Sequence, residues 1–110
     1  LHPEIKKSTT TKITYPISDI AFTDEQYLGL KVTGRVENNT DKDEGLIYIA
    51  IVLLDADDKP LGVVYSIEDV NAGVKKGFST SSYGIPDNIT SATVSKYLAM
   101  AYIYQYQFNF

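Results

Sequence analysis

The sequence predicts an all-β fold: an antiparallel β-sandwich of about seven strands in one domain. Apolar and polar residues alternate with a period of two in several segments of the 110-residue chain. Clusters of Gly, Pro, Asn and Asp separate these segments at intervals of roughly ten residues. No segment combines a 3.6-residue apolar period with helix caps. An up-and-down barrel is the alternative architecture with these features.

Residues 46–54, L-I-Y-I-A-I-V-L-L, form the most apolar segment. Nine apolar residues without a charge are too few for a membrane-spanning helix, which needs about 20. Their length and β-branched content are typical of a strand. The run therefore predicts the central strand of a sheet, covered on most of both faces.

The chain before this run predicts a flexible arm and two strands. Residues 1–11 are polar and rich in Ser, Thr and Lys, which favours a linker or flexible arm, so the domain is predicted over residues 12–110. The apolar positions are odd-numbered up to Ile17 but even-numbered at Ile20 and Phe22. This change requires a bulge or bend near residues 18–19, because side chains alternate between the two faces of a strand.

Pro16 cannot donate to a strand ladder, which favours an edge strand. A first strand that breaks and changes sheets is common in β-sandwiches, and we expect one here. After a predicted turn at residues 23–26, residues 27–37 read as a strand with one buried face. Gly34 lies on that face, so a large side chain is expected to pack over it. Residues 38–45 are expected to be a polar hairpin connection.

Three further strands are predicted over residues 61–67, 74–82 and 95–109, with a loop at residues 83–89. In the last strand Leu98 and Met100 share a parity with five aromatic residues. Such alternation favours a core face, but an aromatic end that outruns the sandwich would instead form an interaction surface. The aromatic residues of this alternative surface are Tyr102, Tyr104, Tyr106, Phe108 and Phe110.

Composition excludes several function classes. The net charge of -4 and the pI of about 4.8 disfavour binding to nucleic-acid phosphates. The chain has no Cys, which excludes disulfides, thiolate metal sites and a cysteine nucleophile. The chain begins at Leu1 and its one methionine is Met100, so we expect a piece of a longer product whose signal or anchor lies upstream.

No group of residues predicts catalysis or a cofactor. His2 is the one histidine and lies in the predicted arm, so neither a catalytic triad nor a zinc site has a credible residue set. The serines at positions 79, 81 and 82 lack a Gly-x-Ser-x-Gly elbow. A glycan-acting enzyme would need two close carboxylates in a cleft, and the acidic residues fall in turns or on solvated strand faces.

The acidic turn after the central strand contains the weak metal candidates Asp55, Asp57 and Asp58. The favoured interpretation is structural, with the Asp55 carboxylate accepting backbone N–H groups of the turn. The alternative is an ion- or ligand-binding domain that uses acidic turns such as this one. Calcium needs six to eight oxygen ligands, and the spacing is not that of an EF-hand.

Three motifs resemble the FxLYD-type domains. Residues 32–40, V-T-G-R-V-E-N-N-T, are similar to the family's V-x-G-x-V-x-N-x-(S/T) opening. Residues 51–55, I-V-L-L-D, stand at its naming motif, where Leu53 and Asp55 match while Ile51 and Leu54 replace the Phe and Tyr. Residues 72–78, A-G-V-K-K-G-F, resemble its x-G-x-x-x-x-F block. The resemblance covers residues 10–110.

This resemblance implies an immunoglobulin-like β-sandwich from exported or membrane-anchored proteins of Gram-positive bacteria, with no catalytic residues. The expected function is therefore a non-catalytic, extracytoplasmic module of a cell-envelope protein. It would mediate contact with a protein partner or neighbouring domain, or act as a spacer. Contact with a membrane is expected only through an anchor outside this chain.

Overall fold

The computed structural model describes residues 8–26, 29–80, 85–86 and 88–108, and their side chains from residue 13 to residue 103. This part of the chain contains seven strands and no helix. The strands are β1 (Ser8–Tyr15), β2 (Ile17–Glu25), β3 (Gly29–Glu37), β4 (Glu44–Leu54), β5 (Pro60–Val70), β6 (Lys75–Ser79) and β7 (Lys96–Phe108). They form two antiparallel sheets, one of four strands in the order β1-β7-β4-β5 and one of three in the order β2-β3-β6. The predicted all-β fold is confirmed, with two sheets in place of a closed barrel.

The first predicted strand breaks at Pro16 and changes sheets, as expected. β1 lies at an edge of the four-stranded sheet and β2 at an edge of the three-stranded sheet. β1 begins at Ser8, which pairs with Phe108 of β7, so the prediction of an arm is wrong for residues 8–11. Residues 1–7 lie outside the described part of the chain.

The predicted bulge in β2 is confirmed. The register between β2 and β3 shifts between Ser18 and Ala21, and Asp19 has a positive φ of 57°. The turn predicted after it is wrong for Thr23 to Glu25, which continue β2 against β3. Thr23 and Glu25 alternate with Phe22 and lie on the solvated face of the sheet, which permits a strand.

The inner face of the three-stranded sheet follows the predicted pattern. Leu30, Val32 and Val36 are buried. A Cβ atom on Gly34 would stand 2.7 Å from both the Ile20 Cδ1 and the Phe78 Cζ atoms. The expected large side chains over Gly34 are therefore present, and the absence of a side chain there makes room for them. Tyr27 and Leu28, predicted to begin this strand, lie outside the described residues.

β4 is the central strand of its sheet, between β5 and β7, as predicted. Its odd-numbered residues from Ile47 to Leu53 are at most 1% exposed and form the middle of the core. Its even-numbered residues Leu46 and Tyr48 are exposed. The prediction that both faces are covered is therefore wrong, because the three-stranded sheet packs against one face only.

The predicted hairpin at residues 38–45 is also wrong, because β3 and β4 belong to different sheets. The buried Asn38 side chain holds this crossing together. Its Nδ2 donates to the Lys42 and Val70 carbonyls at 2.7 and 2.9 Å, and its Oδ1 accepts from the backbone and hydroxyl of Thr40. β4 instead forms its hairpin with β5 through the turn that begins at Asp55.

The two sheets also meet beyond the central core. The Phe22 and Tyr97 rings stand edge to face with centroids 5.7 Å apart, and link β2 to β7. The Lys76 ammonium lies 3.3 Å from the Glu68 carboxylate, and links β6 to β5.

Candidate functional site

The main unexplained surface is the outer face of the four-stranded sheet. In antiparallel strands, directly opposite residues point to the same face. Tyr48 of β4 is opposite Ile67 of β5 and Tyr102 of β7. The next two rows are centred on Ala50 and Val52. We call the following residues the apolar outer face: Leu46, Tyr48, Ala50, Val52, Val63, Tyr65, Ile67, Leu98, Met100 and Tyr102.

Several large side chains of the apolar outer face are mostly in contact with solvent. Tyr65 is 66% exposed, Leu98 63%, Leu46 59% and Ile67 57%, and Tyr48 and Met100 are also exposed. The six exposed fractions together equal roughly three whole side chains, which is on the order of 600 Å² at about 200 Å² each. This is the upper end of the largest apolar patch on a typical monomer, about 300–600 Å².

The ten positions of the apolar outer face carry no charge, and polar groups border them. At one end the Lys96 ammonium lies 2.7 Å from the Asp58 carboxylate. Asp69 follows Ile67 on the same side of β5, and Thr14 of β1 lies beside Tyr102. An apolar centre with a polar border is the usual anatomy of a protein–protein interface.

Tyr48 and Tyr102 form an ordered aromatic pair on the apolar outer face, with ring centroids 5.9 Å apart and planes inclined by 32°. Each ring limits the rotation of the other. Two tyrosines held in this way can contact a partner with a smaller loss of side-chain entropy than longer, flexible side chains.

The predicted aromatic surface overlaps the apolar outer face at Tyr102, which is half-buried. The favoured core interpretation is wrong for Leu98 and Met100, because Ala101 and Ile103 supply the inner face of β7. Beyond Tyr102, the backbone of β7 pairs with β1 alone. The side chains of the other predicted aromatic residues, Tyr104, Tyr106, Phe108 and Phe110, lie outside the described residues.

Sequence reasoning missed the contributions of β4 and β5 to this surface. The apolar run predicts a covered face for Leu46 and Tyr48, and the alternation over residues 61–67 predicts only a strand for Tyr65 and Ile67. The sequence feature that marks this surface is that both the odd-numbered and the even-numbered residues of these strands are apolar. A sheet that is covered on one side needs apolar residues at only one of these two sets of positions.

In the acidic turn the Asp55 carboxylate accepts backbone N–H groups, which is the structural role predicted for it. The Asp55 Oδ1 atom accepts the backbone N–H groups of Asp57 and Lys59 at 2.8 and 2.9 Å. The Lys59 N–H is the main reason that the pKa of Asp55 lies below its usual value. Asp58 has a positive φ of 63° and pairs with Lys96.

The described part of the chain contains no group of three or more His, Cys, Asp or Glu residues that could hold a metal ion. Of the other candidates, Ser79 lies exposed on β6, while His2, Ser81 and Ser82 lie outside the described residues.

Comparisons with protein-family models, with curated proteins and with solved structures found no match to this chain. The part of the chain that the structure describes contains no helix with the length and hydropathy of a transmembrane span.

Proposed function

We propose that this protein is a non-catalytic β-sandwich module that mediates protein contact through the apolar outer face. The observation that carries the proposal is the exposure of large apolar side chains on three adjacent strands. Exposed patches of this size commonly mark interaction sites. A purely passive spacer would require no such surface.

The chemistry of the apolar outer face suits a protein partner. Tyr and Met are enriched at the centres of protein interfaces, and Lys, Glu and Asp are depleted there. Tyr48, Tyr65 and Met100 are exposed in this uncharged region. Burying such side chains gives a favourable free energy of roughly 25 cal/mol per Å² of apolar area, before the costs of association.

We further propose that the module works outside the cytoplasm, in a bacterial cell-envelope protein. This part rests on the resemblance of residues 32–40, 51–55 and 72–78 to the FxLYD-type domains. The immunoglobulin-like relationship rests on the same motifs. A lipobox or transmembrane helix encoded upstream of Leu1 would support it, and a cytoplasmic location of the full-length protein would contradict it.

Site-specific photocrosslinking in the producing organism tests the protein contact. A photoreactive phenylalanine analogue replaces Tyr65 in the full-length protein, because Tyr65 is the most exposed large apolar residue among those described. The matched control position is Val74, an exposed apolar residue between β5 and β6. We expect a covalent protein adduct from position 65 and none from position 74. Absence of any adduct at position 65, or equal adducts at both, contradicts the proposal.

A further inference from the structure

We propose that the partner of the apolar outer face is the same face of a second copy of this chain, related by a two-fold axis. The inference rests on the proposed function, since it names the occupant of that surface. Three properties of the surface support it: its area, its lack of charge, and the heights of its side chains.

The area is what a stable dimer needs. A standard protein interface buries about 800 Å² on each partner. The six most exposed side chains of the apolar outer face supply on the order of 600 Å². The half-buried Val52, Val63 and Tyr102 and the polar border contribute the rest. Pairing with a second copy would therefore cover the whole apolar surface and leave only its polar border in water.

The lack of charge makes the surface compatible with itself. A two-fold interface places the same patch on both sides, so a strongly charged patch would oppose a like charge. The rows centred on Tyr48, Ala50 and Val52 have no charged member. A different partner with complementary charges would find nothing in these rows to recognise.

The side chains of the apolar outer face differ in size, so that a large residue can fit above a small one. Ala50 is the small residue in the middle row, between Tyr65 and Met100. Tyr65 is the most exposed of the face. Two sheets pack face to face at about 10 Å with their strands inclined by about 30°, and their side chains interdigitate. In a two-fold arrangement, Tyr65 of each copy can enter the space above Ala50 of the other.

Sedimentation equilibrium on the purified chain tests this inference. We expect the mass to rise from the 12.2 kDa of one chain to twice that value as the concentration increases into the micromolar range. Leu98→Lys and Tyr65→Lys, made separately, should each weaken the dimer about tenfold or more, because each places a charge within the apolar outer face. Val74→Lys is the matched control and should leave the dimer unchanged. Thermal melts of each variant report whether it is folded.

A second measurement uses the absence of cysteine from the chain. Ala50→Cys places one thiol on the apolar outer face, and Thr33→Cys places one on the outward side of β3. A monofunctional maleimide should react more slowly with the first thiol as the protein concentration rises into the dimer range, because the second copy covers it, and at a constant rate with the second.

A wild-type chain that stays monomeric to several hundred micromolar overturns the inference. So does a dimer that survives both lysine variants, since its interface would lie elsewhere, for example along the β5 edge. If the chain is monomeric but position 65 still forms an adduct with a different protein, the proposal of a second copy is contradicted and the proposed protein contact is retained. If the chain is monomeric and position 65 forms no adduct, the proposed function is contradicted as well.

Discussion

The two outer faces of this sandwich differ in chemistry although the sheets share one core. The outer face of the three-stranded sheet is polar. On it the Lys31 ammonium lies 3.7 Å from the Glu25 carboxylate, and the Arg35 guanidinium 3.8 Å from Asp19. The apolar outer face of the four-stranded sheet has neither ion pairs nor charges in its rows. Its charged neighbours, such as Lys96, lie at the border.

This difference shows which face requires an explanation beyond folding. An antiparallel sheet needs one apolar face for the core and can present a polar face to water. The three-stranded sheet follows that rule, with Val32 inside and Lys31 outside. The four-stranded sheet has the same kind of core face and a second apolar face. Since the core does not need this second face, its apolar character is the observation on which the proposed protein contact rests.

The largest expected effect tests which face of β4 is the core. Ile51→Ala should reduce the free energy of unfolding by about 2–5 kcal/mol, because Ile51 is fully buried and truncation leaves a cavity. Val52→Ala, one residue later on the apolar outer face, should cost less than about 1 kcal/mol in the monomer. Urea unfolding at low protein concentration measures both. Equal losses would show that both faces of β4 are buried and would remove the contrast between the two outer faces.

The second prediction concerns the crossing that places β3 and β4 in different sheets. Asn38→Ala should cost about 3 kcal/mol, because it leaves the buried Val70 carbonyl without its side-chain donor and removes the shorter of the two side-chain bonds to the Lys42 carbonyl. Asn39→Ala is the matched control: its side chain is exposed, so its cost should be below about 0.5 kcal/mol. Denaturant unfolding of the pair measures the difference. A small loss for Asn38→Ala would mean that strand pairing alone holds the crossing.

The third prediction tests how tightly the inner face of the three-stranded sheet is packed. Gly34→Ala should cost about 1–3 kcal/mol, since the new methyl group would displace the ends of Ile20 and Phe78. Gly77→Ala is the control, because its nearest neighbour would be the Gly34 carbonyl oxygen at 3.9 Å, an ordinary contact. We expect a lower melting temperature for Gly34→Ala and an unchanged one for Gly77→Ala. No shift at either position would show a loosely packed inner face.

Local features of this fold could be predicted from the sequence because they depend on chemistry within one or two strands. The change of parity at Asp19, the break at Pro16 and the large side chains over Gly34 each follow from alternation or from the geometry of one residue. The role of Asp55 in its turn follows from the short reach of its carboxylate.

The arrangement of the sheets could not be predicted in the same way. Asn38 marks a turn in the sequence, but whether the chain turns back as a hairpin or crosses to the other sheet depends on distant partners such as the Val70 carbonyl. The apolar outer face was missed for the same reason. The residues around Tyr48 are apolar on both faces of the strand, so the sequence alone is compatible with a second sheet on one face or on both.

The smallest expected effect is a loss of stability in acid at the end of β2 in the three-stranded sheet. Asp24 accepts hydrogen bonds from the Ser91 hydroxyl and backbone N–H at 2.5 and 2.8 Å. These bonds, the hydroxyl first, hold the pKa of Asp24 below its usual value. A carboxylate with a lowered pKa in the folded state stabilises the fold above its unfolded pKa of about 4. That contribution is lost as the pH falls through the folded pKa.

Ser91→Ala should therefore make stability fall less steeply below about pH 4, because it removes the main cause of the lowered pKa while keeping the carboxylate. Asp24→Asn should have a similar effect, and the double variant should add little, since both substitutions remove the same interaction. Asp55, at the end of β4, is held by backbone N–H groups, so its acid response should persist in all three variants. Melting temperatures between pH 2 and pH 6 measure these slopes. Unchanged slopes in Ser91→Ala would show that this hydrogen bond contributes nothing to the acid response of the fold.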